Sequence, residues 1–134
     1  DIKTLEYIHK LLVENDRAAK EDAVELLKIA SILQFTVYGV PSIYYGDEAG
    51  LEGYHDPFCR MPFPWGREDE ALLAHYRALG ALRRTHPALR EGDFRFVSQA
   101  EHAFAFLREG GGERLLVVAN VGNEPFPIPD HARC

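Results

Sequence analysis

Apolar residues recur every three to four positions through the first two thirds of the chain. Near the end they switch to tight alternation. Ile2, Leu5, Ile8, Leu11 and Leu12 predict a helix over 3–14, followed by a loop at Asn15-Asp16-Arg17. Ala23, Leu26, Leu27, Ile29, Ala30 and Leu33 form a wide apolar stripe and predict a stronger helix over 20–37. Glu21 and Asp22 then fall in its first turn, where the macrodipole favours negative charge. Gly39-Val40-Pro41 stops that helix, because proline fixes φ and pushes its neighbour out of the helical region. Residues 42–45, Ser-Ile-Tyr-Tyr, have the β-branched and aromatic bias of a strand, which Gly46-Asp47 ends in a turn. A third helix is predicted over 69–85, buried through Leu72, Leu73, Tyr76, Leu79, Ala81 and Leu82, with His86-Pro87 as its stop and His86 as a helix C-cap. Three strands follow at 94–97, 103–107 and 115–121. Residues 108–113, Arg-Glu-Gly-Gly-Gly-Glu, read as an exposed hairpin connection, and Phe126 between two prolines as the start of an edge strand.

The fold class is therefore α/β followed by all-β, with the change near residues 87–92. A helix, a Gly-Pro link and a brief apolar strand make the αβ half of an α/β repeat. One parallel strand cannot form a sheet, and parallel sheets need cover on both faces, so the first part reads as the closing end of a larger repeat fold. The chain has 134 residues, enough for one domain or parts of two, and its 46% hydrophobic content is that of a globular protein. It carries 21 acidic against 15 basic residues, a net charge of −6, which argues against a nucleic-acid binder. Arg77, Arg83, Arg84 and Arg90 are the nearest thing to a basic cluster and read as a solvated helix face with its C-terminal cap. No apolar run is long enough for a membrane span, and no signal-peptide pattern opens the chain. It begins with Asp1, which reads as a processed, trimmed or partial start. Cys59 and Cys134 fit no metal spacing and read as free thiols of a cytoplasmic protein.

The chemistry concentrates in the loop after the 42–45 segment. Asp56 and Arg60 stand four apart in Asp-Pro-Phe-Cys-Arg. A carboxylate and a guanidinium facing one cleft can grip vicinal hydroxyls, the first accepting and the second donating. Tyr45, Tyr54 and Trp65 could offer aromatic faces to a sugar ring. The alternative is a salt bridge that only shapes the turn. Asp47-Glu48 resembles an acid/base pair, but adjacent residues leaving a strand point to opposite faces, so one of them caps the turn or binds a backbone amide. The histidines form no metal-ligand spacing, the serines no nucleophile elbow, and Gly110 to Gly112 open no helix. No metal and no cofactor is expected.

The stretches GVPSIYYGDEAGLEG, DPFCRMPFPW and HYRALGALRRTHPALREGDF together resemble the α-amylase family of glycoside hydrolases, most of all its cyclomaltodextrinase, neopullulanase and maltogenic amylase group. The likeness covers about residues 20–97, with a weaker tail. It implies that residues 1–88 are the last helices and last strand of a (β/α) TIM-type barrel, and that 89–134 begin a C-terminal antiparallel β-sandwich. It implies α-glucan or maltooligosaccharide substrates, cleavage with retention, and a sugar-binding role for Asp56 and Arg60. Asp1 falls at the place of the family's third carboxylate, which steadies the transition state, although the His expected before it is absent and Thr4 replaces a frequent Arg. Retaining cleavage needs a nucleophile and a proton donor flanking one bond, and no residue here matches either. The chain is expected to be inactive alone and to self-associate or pair with the rest of the barrel. A non-catalytic carbohydrate-binding or assembly module is the other reading.

Overall fold

A computed structural model describes residues 17–53 and 55–129. Its elements are α1 (Arg17–Thr36), a 3-10 turn (Asp47–Ala49), α2 (Glu70–Thr85), α3 (Pro87–Glu91), β1 (Asp93–Gln99), β2 (Ala103–Gly110) and β3 (Glu113–Asn120). The helix expected over 3–14 lies outside the described residues. The chain divides into two compact units, one holding residues up to Ile32 with Ser42–Leu79, the other Leu33–Pro41 with everything from Gly80 on.

In the first unit, α1 starts three residues earlier than its apolar stripe announced. Arg17 is helical rather than looped, and Glu21 and Asp22 fall beyond the first turn, where the macrodipole effect has faded. Ala23 and Ser31 are buried, but Leu26 is exposed. Asp69 caps α2: its Oδ1 accepts the Leu72 N–H at 2.9 Å, one of the donors a helix start leaves unpaired. Leu72, Tyr76 and Leu79 are buried on α2, while Leu82, in the second unit, is exposed. The Ser31 hydroxyl donates to the Lys28 carbonyl at 2.8 Å and shares a hydrogen bond of 2.8 Å with His75 Nε2. Burial first, then the Lys28 charge, holds the His75 pKa below its ordinary value, so the ring is neutral at pH 7. Burial, with Asp47 next, pushes the Tyr76 phenol up to about 12.

Residues 42–45 form no strand. Their composition suits a pleated ladder, but a strand exists only with a hydrogen-bonded neighbour, and none of the described strands pairs with them. Phe126 likewise lies outside any strand.

The second unit is built on an antiparallel sheet in the order β1-β2-β3. Phe96 pairs with Phe106 and Phe106 with Val117, and a bulge at Val97 shifts the register before Ser98. Phe94, Phe104 and Phe106 share a face, with Phe94 and Phe106 ring centroids 4.8 Å apart. The expected connection over 108–113 is much shorter. β2 runs on to Gly110, leaving Gly111 and Gly112 (φ +62 and +81) as the two-residue turn that suits strand twist. Just before it, a Cβ on Gly110 would come within 2.6 Å of the Gly92 Cα, so backbone meets backbone there.

Arg108, expected to be exposed in that connection, is 1% exposed. Its Nη1 donates to the Thr36 carbonyl at 2.7 Å and the Val37 carbonyl at 2.9 Å, its Nη2 to Gly92 at 2.9 Å, and its Nε to Asp93 at 3.2 Å. One side chain thus occupies carbonyls at the end of α1 and at the start of β1. Burial, and then the neighbouring Arg83 charge, lowers its pKa. Arg83 adds a second tie, donating to Phe35 O at 2.8 Å and to Gly39 O. Arg90 donates to the Arg83 and Arg84 carbonyls, so these arginines do serve as C-terminal caps.

His86 serves two helix ends: its N–H bonds the Leu82 carbonyl at 3.1 Å just past α2, as the expected C-cap, and it is the N-cap of the unanticipated α3, with Pro87 at the first position. Its Nδ1 meets Glu113 Oε2 at 2.8 Å, and Glu113 Oε1 accepts the Ala88 N–H at 2.9 Å. One carboxylate therefore fastens α3 to the start of β3. The His86 hydrogen bond, then the Ala88 N–H, holds the Glu113 pKa below the usual carboxylate range.

Two outcomes follow. Arg108→Lys should lower unfolding stability in urea by about 3 kcal/mol, because an ammonium cannot reach carbonyls on both sides and leaves buried acceptors bare. Glu113→Gln should be less stable than the parent at pH 7. A carboxyl with a depressed folded pKa stabilises above its unfolded value and loses that contribution as pH falls through the folded pKa. The two urea midpoints should therefore converge only once the pH has fallen through the lowered folded pKa of Glu113.

Candidate functional site

The loop between residues 46 and 69 belongs to the first unit and is built from local turns. Gly46, at φ +95, opens it, and the Leu51 N–H returns to the Gly46 carbonyl at 2.9 Å. The Glu48 carboxylate accepts the Gly46 N–H at 2.9 Å, so it binds a backbone amide as the sequence indicated. The Asp69 N–H bonds the Ala49 carbonyl at 3.0 Å, joining the far end of the loop to its beginning. A tight turn carries Asp56 and Arg60, with the Phe58 N–H on the His55 carbonyl at 2.8 Å and the Arg60 N–H on the Pro57 carbonyl at 3.1 Å.

That turn brings the two side chains together as a fork. Arg60 Nε lies 2.9 Å from Asp56 Oδ1, and Nη2 lies 3.1 Å from Oδ2. The nearby Asp56 charge, then its hydrogen bond, raises the Arg60 pKa. Both side chains are mostly solvent-exposed, at 68% and 64%. An exposed ion pair adds little to folding, so stability does not account for the arrangement. The pair spans the turn as the salt bridge that the sequence offered as one alternative, and its guanidinium and carboxylate are groups that can donate to and accept from hydroxyls.

Two neighbours carried no assignment from sequence. The Cys59 thiol, on a free cysteine, donates to Asp56 Oδ1 at 3.5 Å. Tyr44 is half exposed, and its pKa is raised by partial burial and then by Tyr45, with Cys59, Arg60 and Asp56 also close enough to act on it. The doubled tyrosine and the Cys-Arg step were the visible signals. The Tyr45 ring lies tilted against Tyr44, centroids 5.0 Å apart, and its hydroxyl donates to the Met61 carbonyl at 3.0 Å. Trp65 is 81% exposed, with its ring 4.6 Å from Phe63. Tyr54 and Asp1 lie outside the described residues. Among the described residues no group of three or more His, Cys, Asp and Glu could hold a metal ion, and no helix is long and apolar enough to cross a membrane.

The homologues that match this chain are enzymes of the α-amylase family, among them cyclomaltodextrinases, amylopullulanases and a maltogenic amylase. It is 44% identical over 98 residues to a cyclomaltodextrinase of a Bacillus species, covering 70% of this chain and 18% of that protein. It is also 44% identical over 114 residues to an amylopullulanase of Thermoanaerobacter thermohydrosulfuricus, covering 85% of this chain and 7% of that protein. A solved cyclomaltodextrinase structure superposes with a TM-score of 0.68 at 41% identity, over 82% of this chain and 19% of that one. No family model matches the chain. The chain thus spans less than a fifth of the length of these relatives.

Because the fork is exposed, Asp56→Ala and Arg60→Ala should each leave the melting temperature of the chain essentially unchanged in a thermal scan. Asp69→Ala, which removes the α2 cap, should cost about 1 kcal/mol in the same scan.

Proposed function

We propose that this chain is the sugar-gripping, C-terminal part of a retaining glycoside hydrolase acting on α-glucans or maltooligosaccharides, and that it has no turnover by itself. The Asp56–Arg60 fork carries the reading: two forked, exposed polar groups whose pairing has little stabilising purpose. The names of the relatives support the substrate class, since cyclomaltodextrinase and amylopullulanase are enzymes of α-glucans. In this reading Asp56 accepts from, and Arg60 donates to, hydroxyls of one glucose unit. Trp65, Tyr54 and the Tyr45 ring supply apolar faces, and Asp1 holds the place of a transition-state carboxylate.

Residues 1–88 then correspond to the closing part of a (β/α) barrel and 89–134 to the start of a β domain. The strand-like composition of 42–45 outside any described strand and the exposure of Leu26, Ile32 and Ile43 support association with further polypeptide, either a second copy or the rest of a barrel. A cytoplasmic setting belongs to the same reading and is supported by the unpaired Cys59. Bond cleavage needs a nucleophile and a proton donor on either side of the glycosidic oxygen, and a clamp of one acid and one guanidinium supplies neither role.

The test is calorimetric titration of the purified chain with maltotetraose, paired with a reducing-sugar assay on cyclodextrin and pullulan. Binding should be measurable, fall at least tenfold in Asp56→Ala and in Arg60→Ala, and come with no sugar release. Heat signals identical in parent and variants would remove the clamp, and turnover by a homogeneous sample would contradict the assignment of catalysis to other polypeptide.

A further inference from the structure

The Tyr45 hydroxyl is spent inside the protein. It reaches across the loop to the Met61 carbonyl, one residue beyond Arg60, at 3.0 Å. Among the described residues, the backbone hydrogen bonds within the Asp56–Arg60 turn are short-range, Phe58 to His55 and Arg60 to Pro57, and set the turn's curvature rather than its place. The Ala49–Asp69 backbone bond closes the loop further out, beyond the turn on both sides. Tyr45 itself stands at the loop's entrance, immediately before Gly46 and the 3-10 turn, with its ring tilted against that of Tyr44. A phenol is well suited to such a strut: it is rigid, has two side-chain torsions, and ends in one strong donor.

We propose that Tyr45 is a positioning residue, whose hydroxyl straps the flank of the Asp56–Arg60 turn to the stem of its loop and so sets where the fork stands. The inference rests on the reading of that fork as a glucose clamp only for its consequence, not for its mechanics. Without the strap, the local turn and the ion pair persist, because both are built within residues 55–60. What is lost is the restriction on the segment as a whole, so ligand must fix the segment as it binds. Loop ordering on binding costs affinity, and one solvent-accessible hydrogen bond corresponds to about a two- to fivefold change.

The experiment uses the full chain carrying Cys134→Ser, with and without Tyr45→Phe. That change removes only the hydroxyl of an exposed side chain and keeps the ring. Cys59 lies in the strapped segment and serves as its reporter. The proposal expects alkylation of Cys59 by iodoacetamide to speed up at least twofold in the Phe variant at an unchanged melting temperature, and maltotetraose affinity to fall two- to fivefold. Equal alkylation rates overturn the strap whatever the sugar does. Faster alkylation in the variant, with no binding by either protein, upholds the strap and sinks the carbohydrate reading instead. A lowered melting temperature in step with the faster alkylation overturns a positioning role in favour of a merely structural one.

Discussion

A buried guanidinium, bound by backbone carbonyls and ion-paired with no carboxylate among the described residues, organises the second unit. Arg108 is desolvated on a central strand, a placement that costs several kcal/mol unless every donor is met. Backbone carbonyls meet it: the end of α1 on one side and residues 92–93 on the other. The last carbonyls of a helix are partly negative and have no partner within the helix, so they are fitting acceptors for a cation. The arginine solves two problems together, as helix end and buried charge satisfy each other. Arg83 and Arg90 repeat the device on neighbouring carbonyls, which gives two members of an arginine-rich stretch a structural use in an acidic chain.

The same economy of local bonding shapes the loop of the first unit, with a different result. There the ion pair is left in water, where it contributes little to folding. Glu48 and Asp69 are engaged by backbone N–H groups, while Asp56 pairs with the side chains of Arg60 and Cys59. These acids are told apart by their partners rather than by their residue type.

Much of this was legible in the residues, for reasons that can be named. α1, α2 and the three strands announced themselves through period, since an amphipathic stripe or an alternation survives any detail of packing. Asp56 and Arg60 were found because four-residue spacing in a proline-bearing turn leaves few ways to keep them apart. α3 was missed because five residues give no period to read. The 42–45 segment looked like a strand because propensity describes a residue's suitability for a ladder, not the presence of a neighbour. Arg108 was misplaced because Arg-Glu-Gly-Gly-Gly has the composition of a solvated turn, and its true partners are carbonyls, which every residue carries and no sequence pattern marks. The Tyr45 strut escaped for the same reason: its acceptor belongs to the backbone of Met61.

The central claim is that Arg60, preset by Asp56, meets glucose hydroxyls directly. The most direct measurement is the side-chain Nε–H resonance of Arg60 in a nitrogen-15 spectrum recorded while maltotriose is added. The account predicts a saturable shift of that resonance, absent when an equal concentration of an acyclic polyol replaces the sugar. An Arg60 signal that stays fixed while resonances elsewhere in the chain move would show that the sugar binds at another place, and would contradict the account.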